Sequence, residues 1–165
     1  MECSKARAYL LHGYLGAGKT TFARRLEAEQ NALRFTQDEW MVRLFGHDPA
    51  EADFPDHHRR ILEVMESQWT RCLQLGVNVV LDFGFWSRVE RDRARDLVRA
   101  HGGEAVLYRL TCAESVAWAR IQERNEALKN NLFIAENTFK TLASRFEPLG
   151  ADEDRVEQRA DRERG

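Results

Sequence analysis

The sequence predicts an α/β fold in which helices cover a parallel sheet, and this prediction depends on two features. Short apolar runs alternate along the chain with longer segments of helical periodicity, as in successive β–α units. In addition, residues 36–39, 87–90 and 111–114 each begin with Thr or Ser and end with Glu. This spacing is typical of a capping box at a helix N-terminus. Because each box follows an apolar run, strand and helix should alternate, which favours parallel pairing.

The apolar runs predict four strands, at residues 8–11, 32–35, 77–82 and 105–110. The third run is almost entirely aliphatic, which is expected of a strand that helices cover on both faces. Residues 151–165 instead alternate acids with arginines and contain no aromatic residue. We expect them to form a frayed helix or a disordered tail, so that one domain occupies residues 1–150.

Helices are predicted between these strands, because apolar residues recur there every three or four positions. After the helix that follows the first strand, they are expected at about residues 37–46, 56–75, 88–100, 113–124 and 135–146. The residues expected to face the core are Trp40, Met41, Leu44, Ile61, Met65, Trp69, Val89, Leu97 and Val98.

The most informative motif follows the first strand and reads Gly13-Tyr14-Leu15-Gly16-Ala17-Gly18-Lys19-Thr20, of the form G-x-x-x-x-G-K-T. Between a strand and a helix, such a loop can point its N–H groups at phosphate oxygens. Lys19 would reach the outer phosphates, and the Thr20 hydroxyl would hold Mg²⁺. A plain glycine-rich turn is the alternative, but the flanking strand and helix favour a P-loop. We therefore predict that this loop, with the adjacent Thr21, binds nucleotide phosphates.

Two aspartates follow strands whose carboxyl ends should share an edge of the sheet with the P-loop. Asp82 ends the third strand, where it could hold Mg²⁺ directly or through water. Its alternative role as a helix cap is already filled by Ser87. Asp38 lies just after the second strand and could accept the proton of an attacking hydroxyl. Alternatively, Asp38 could have no role beyond a favourable interaction with the helix dipole, although Glu39 already completes a capping box at this helix start.

Arg120 and Arg124 lie one helical turn apart, a like-charge pair that weakens an isolated helix. A polyphosphate between them would explain the pair, as under a lid at about residues 113–134 that neutralises transferred charge. The alternative is a solvated helix face on which Glu123 screens the charge. Lys129 could belong to the same lid.

The loop after the third strand contains Phe83, Phe85 and Trp86. Trp86 could stack on a planar or sugar-like acceptor, or the aromatic residues could close the core. Arg88 and Arg91 could reach an anionic acceptor, or could be ordinary surface arginines.

Bulk composition narrows the choice of partners. For a chain of 165 residues, a net charge of −2 indicates no broad basic surface for nucleic acid, although it leaves room for a local basic groove. The three cysteines are far apart, which predicts neither a zinc site nor a disulfide framework and fits a reducing cytosol. The first residues lack a secretory pattern and no apolar run reaches membrane length, so we expect a cytoplasmic protein without membrane contact.

The chain resembles the small P-loop kinases grouped with the zeta toxins, chloramphenicol phosphotransferase and the kinase domain of polynucleotide kinase. The resemblance covers most of residues 6–150. The motifs that carry it are residues 13–20, 36–39, 79–82, 87–91, Arg120 with Arg124-Asn125, and residues 146–148.

This resemblance implies a sheet in the order 2-3-1-4-5, the cofactors ATP and Mg²⁺, and phosphorylation of an acceptor hydroxyl. It places the hydroxyl-activating acid at Asp38 and the lid arginines at Arg120 or Arg124. The chain departs from the family at two points. Polynucleotide kinases carry an arginine where this chain has Met41, which argues against a nucleic-acid acceptor. A fifth strand is doubtful because only charged residues follow Pro148, so the adenine pocket is expected to be open or completed by a partner.

The sequence thus supports three functions. The first is an ATP- and Mg²⁺-dependent kinase for a small hydroxylated molecule, in which Lys19, Asp38, Arg120 and Arg124 are catalytic and Trp86 and Arg88 contact the acceptor. The second is a kinase for the 5′-hydroxyl of nucleic acid. The third is a nucleotide-dependent ATPase or switch that transfers phosphate only to water. The acceptor, the choice between ATP and GTP, and the oligomeric state are not encoded in a readable motif.

Overall fold

The computed structural model describes residues 5–127 and 131–159. Its sheet has five parallel strands in the order β2-β3-β1-β4-β5, which confirms the predicted fold class and strand order. The strands are β1 (Arg7–His12), β2 (Ala32–Thr36), β3 (Asn78–Gly84), β4 (Glu104–Thr111) and β5 (Val156–Arg159). The helices are α1 (Lys19–Glu29), α2 (Gln37–Phe45), α3 (Phe54–Gln74), α4 (Arg88–Ala100), α5 (Glu114–Ala127) and α6 (Glu136–Leu142), and a 3₁₀ turn follows at Ala143–Arg145.

Side-chain alternation along the central strand β1 divides the core into two layers. Ala8 and Leu10 belong to the core cluster that includes Met65 and Trp69 of α3 and Val98 of α4. The intervening residues Tyr9 and Leu11 belong to a cluster on the opposite face, where α1 contributes its apolar residues Phe22, Ala23 and Leu26. Helices on both faces of the sheet therefore bury β1 from Ala8 to His12 and leave only Arg7 exposed.

Two residues expected in the core are exposed. Leu44 in α2 is 61% exposed and Val89 in α4 is 76% exposed, so both predictions are wrong. In α4 the buried residues are Arg91, Ala94 and Val98, at spacings of three and four. The helix is rotated so that an arginine, and not Val89, faces the interior. Its hydrogen bonds with other segments make this burial possible, as described below.

The predicted capping boxes have different outcomes. Ser87 and Glu90 form a complete capping box at the start of α4, which confirms that prediction. The other two are wrong. Thr36 makes no side-chain cap bond at α2 and donates instead to Asp82, while Thr111 ends β4 three residues before α5 begins.

The fifth strand corrects the expectation of a frayed or disordered tail for residues 151–159. β5 pairs with β4 from Tyr108–Val156 to Thr111–Arg159, and Arg109 reaches across to Glu157 at 3.2 Å. Charged residues are usual on an edge strand because both of its faces can remain in water. The absence of apolar residues was therefore a poor argument against a strand at this position. Residues 160–165 of the predicted tail lie outside the described residues.

Candidate active site

The P-loop lies between β1 and α1, and its glycines permit its shape. Gly16 and Gly18 have φ angles of +75° and +86°, which glycine adopts without steric cost. A Cβ atom on Gly16 would lie 2.4 Å from the carbonyl oxygen of Ala117 in α5. The loop is held below by Gly13, whose N–H donates to the carbonyl of Gly84 at 3.3 Å. Helix α5, which lies in the segment predicted to form a lid, therefore packs directly on the P-loop, and only glycine fits at position 16.

Lys19 is directed into the loop. Its Nζ donates to the carbonyl oxygen of Tyr14 at 2.8 Å, so the ammonium group lies beside the loop that would surround a phosphate. Burial lowers the pKa of Lys19, and the negative charges of Asp82 and Asp38 oppose this effect. These two carboxylates are thus close enough to Lys19 to form one electrostatic site with it.

Thr20 and Asp82 form the candidate metal position. The Thr20 hydroxyl donates to Oδ2 of Asp82 at 2.8 Å, and Asp82 is only 5% exposed. Burial raises the pKa of Asp82, while Lys19 and the neighbouring hydroxyls lower it. A hydroxyl and a carboxylate are the oxygen ligands that Mg²⁺ accepts together with phosphates. The described residues contain no cluster of three or more His, Cys, Asp or Glu side chains that could hold a metal, so a metal here would depend on bound phosphate as well.

Asp38 lies in the first turn of α2, within electrostatic range of Lys19. Among the described residues, no side chain donates a hydrogen bond to its carboxylate. Burial and the nearby charge of Asp82 raise the pKa of Asp38 to about 6, against the positive charges of Lys19 and Arg124. The residue as a whole is nevertheless exposed, so water screens part of this effect. An unpaired carboxylate with a raised pKa is suited to accept a proton.

The two lid arginines have different surroundings. Arg120 donates to the carbonyl oxygen of Gly16 at 3.4 Å, so it contacts the P-loop. Arg124 is partly buried, and burial lowers its pKa while Asp38 and Asp82 raise it. Asn125 then ties the lid together, because its side chain exchanges two hydrogen bonds with the backbone of Ile134. Arg124 therefore interacts electrostatically with both carboxylates, whereas Lys129 lies outside the described residues.

Trp86 and Arg88, the two predicted acceptor contacts, bind protein groups in this structure. The indole Nε1 of Trp86 donates to the carbonyl oxygen of Gly13 at 3.1 Å, and its ring lies 5.4 Å from that of Tyr14. Arg88 forms ion pairs with Asp92 at 2.8 Å and with Asp152 at 2.9 Å. Trp86 thus supports the base of the P-loop, and Arg88 is directed toward the C-terminal segment.

Sequence reasoning missed the buried Arg91. Its guanidinium is fully enclosed and forms a two-pronged pair with Glu153 at 2.9 and 3.0 Å. It also donates to the carbonyl oxygens of Phe85 and Trp86. Arg91 therefore joins the loop below the P-loop to the segment that leads into β5. Its spacing of three and seven residues from the buried Ala94 and Val98 was the available signal that it faces inward.

Comparisons with known proteins agree with this architecture. A family model described as an AAA domain (AAA_33) matches residues 9–149. No curated protein matches the chain.

Among solved structures, a candidate kinase from Chloroflexus aurantiacus j-10-fl superposes with a TM-score of 0.76 at 15% identity, over 94% of this chain and 89% of that one. The Pnkp1/Rnl/Hen1 RNA repair complex gives a TM-score of 0.71 at 20% identity, over 86% of this chain and 44% of the matched one. A gluconokinase from Sinorhizobium meliloti 1021 gives 0.65 at 15% identity, over 96% of this chain and 85% of that one.

These identities are low, so the structural matches speak for the fold, whereas the family match covers most of the sequence. The P-loop, the strand order and the family match together show that the chain belongs to the AAA_33 family of P-loop, kinase-like domains.

Proposed function

We propose that this protein is a kinase that transfers the γ-phosphoryl group of ATP, with Mg²⁺, to a hydroxyl group of a small molecule. One observation carries the proposal. The Asp38 carboxylate, which accepts no side-chain hydrogen bond from the described residues, lies within the electrostatic range of Lys19, Asp82 and Arg124. A phosphate-binding loop alone would serve any nucleotide-dependent protein, but a proton acceptor beside it serves transfer to an alcohol.

The roles follow from position. The P-loop amides and Lys19 would bind the β- and γ-phosphates and keep them fixed. Thr20 and Asp82 would hold Mg²⁺, which when bound supplies charge neutralisation at those phosphates. Arg124 would stabilise the negative charge that moves toward the β-phosphate during transfer.

Asp38 would act on the acceptor. Its carboxylate accepts the hydroxyl proton as the acceptor oxygen forms a bond to the γ-phosphorus. The bond between that phosphorus and the bridging oxygen breaks, and the electron pair leaves with ADP. Asp38 then returns its proton to solvent, which a carboxyl with a pKa near 6 does readily at neutral pH.

A small acceptor is favoured by Met41. This residue occupies the position at which polynucleotide kinases carry an arginine, and it is buried in the core at 1% exposure. No cation can therefore reach a nucleic-acid backbone from that position. The structural likeness to the RNA repair complex nevertheless supports a second candidate function, phosphorylation of a 5′-hydroxyl of nucleic acid.

A transfer screen tests the proposal. The purified protein is incubated with Mg²⁺ and γ-labelled ATP, together with pools of sugars, hydroxylated metabolites, antibiotics or 5′-hydroxyl oligonucleotides. We expect label in a small-molecule pool, with loss of the product in Asp38→Asn and no loss in the surface control Asp96→Asn, whose side chain is 74% exposed. Label in the oligonucleotides would select the second function. Release of phosphate alone, unaffected by Asp38→Asn, would refute both.

A further inference from the structure

The Asp82 carboxylate, proposed above to hold Mg²⁺, is also supported by strand β2, which contributes none of the proposed phosphate ligands. We propose that Thr36 and Arg34 of β2 are positioning residues that fix the Asp82 carboxylate for its cation. This inference rests on the proposed Mg²⁺-dependent function, although its test does not require that the acceptor be known.

Strand register brings Thr36 to Asp82. The two residues are direct partners in the β2–β3 ladder, and Thr36 is 4% exposed. Its hydroxyl donates to Oδ2 of Asp82 at 3.3 Å, and the Thr20 hydroxyl donates to the same oxygen at 2.8 Å. Two donors on one oxygen fix the rotation of the carboxylate, because the planar group cannot turn without losing both.

Arg34 determines the direction of the Thr36 hydrogen bond. Its guanidinium donates to Thr36 Oγ1 at 2.5 Å. A guanidinium can only donate, and a hydroxyl has a single hydrogen. The Thr36 oxygen is therefore the acceptor toward Arg34, so its own hydrogen is free for Asp82. Without Arg34, the hydroxyl could rotate and present a lone pair to the carboxylate.

Arg34 is in turn held from two sides. It pairs with Glu27 of α1 at 3.1 Å and with Glu39 of α2 at 3.0 Å, and its side chain is 14% exposed. These two acids fix the arginine and balance its charge. The same contact attaches the first turn of α2, which also carries Asp38, to β2.

The other carboxylate oxygen of Asp82 would serve the cation. Both side-chain hydrogen bonds that Asp82 accepts from the described residues end on Oδ2, so Oδ1 is available to a metal ion or to its water. Thr20 would also bind the metal, whereas the hydroxyl hydrogen of Thr36 is donated only to the carboxylate. A capping role does not explain Thr36, because its side chain makes no cap bond at α2.

The test measures metal affinity directly. Binding of Mn²⁺ is followed by electron paramagnetic resonance in the presence of ADP, for the wild type, Thr36→Val and Thr36→Ser. A hydrogen bond to a charged group contributes roughly tenfold to a hundredfold in affinity. We expect Thr36→Val to weaken Mn²⁺ binding by at least about tenfold, while Thr36→Ser, which keeps the hydroxyl, stays near the wild-type value. Binding of ADP without metal should not change.

Arg34→Gln provides a second variant in case Thr36→Val does not fold, as judged by circular dichroism. It should also weaken Mn²⁺ binding, whereas Arg99→Gln, the same substitution at an exposed arginine on α4, should not. Unchanged Mn²⁺ affinity in folded Thr36→Val or Arg34→Gln would overturn the inference, as would an equal loss in Thr36→Ser. If the variants lose Mn²⁺ affinity as expected but the wild type phosphorylates no acceptor, the proposed function would be overturned and the positioning role of Thr36 and Arg34 would stand. A wild type that binds neither ADP nor Mn²⁺ would overturn both.

Discussion

Replacing Asp38 by Asn should stabilise the protein at neutral pH while removing its activity. In the folded protein, burial and Asp82 raise the pKa of Asp38 from an ordinary 3.8 to about 6. For a fully buried group, a rise of this size corresponds to about 3 kcal/mol of unfavourable free energy once the group is ionised. Because Asp38 as a residue is exposed to solvent, screening by water reduces the expected effect to about 1 kcal/mol.

The sign of the pH dependence follows from the direction of the shift. Folding favours the protonated form of Asp38, so this group does not penalise the folded state below pH 3.8. The penalty develops as the pH rises from 3.8 to about 6 and is complete above that value. The asparagine variant carries no such charge. Its advantage over the wild type should therefore be absent near pH 4, grow between pH 4 and 6, and stay constant above that range.

Urea unfolding at a series of pH values, without metal or nucleotide, measures this difference. At pH 7.5 the variant should be more stable by about 1 kcal/mol, which corresponds to about 2–4 °C in melting temperature for a domain of this size. Asp96→Asn, which removes an exposed carboxylate on α4, should show no comparable pH-dependent gain. A variant that is equally stable or less stable at pH 7.5, or a gain that persists unchanged at pH 4, would refute the electrostatic description of the site.

Three other substitutions test separate parts of the structure. Gly16→Ala places a Cβ atom 2.4 Å from the Ala117 carbonyl oxygen at a φ of +75°. ATP affinity in a binding titration should therefore fall at least about tenfold, with a stability loss of about 1–3 kcal/mol. Wild-type affinity would contradict the close packing of α5 on the P-loop. Arg91→Met leaves Glu153 buried without its partner and should lower the free energy of unfolding by about 3–5 kcal/mol. Stability should recover in part when Glu153 is also replaced by Met. A loss below about 1 kcal/mol would show that the pair does not stabilise the fold. Arg124→Met removes a positive charge that lowers the pKa of Asp38. The acid limb of the pH profile of kcat/KM should therefore move to higher pH, and kcat should fall. An unchanged acid limb would show that Arg124 does not act on Asp38.

The sequence was informative wherever one strand and its following loop define the chemistry. The P-loop motif is local in the sequence. The positions of Asp38 and Asp82 near it follow from the predicted parallel sheet, because the carboxyl ends of parallel strands lie at one edge. The structure places both carboxylates within the electrostatic range of Lys19. Their catalytic and metal-binding roles stay predictions until the variants are measured.

The features that the sequence did not reveal depend on partners distant in the chain. Arg91 is buried because Glu153, far along the chain, neutralises it, and no local pattern encodes that pair. Thr36 was expected to cap α2, but the strand register places it opposite Asp82, to which its hydroxyl donates instead. β5 was missed because pattern recognition depends on apolar residues, which an edge strand does not require.

Transfer from ATP in the presence of Mg²⁺, compared between the wild type and Asp38→Asn once an acceptor is found, tests the central claim most directly. General-base catalysis contributes about 10²–10⁴-fold, so the variant should lose at least about a hundredfold in kcat while its affinity for ATP stays near the wild-type value. Transfer by Asp38→Asn at the wild-type rate would contradict the claim that this carboxylate activates the acceptor hydroxyl.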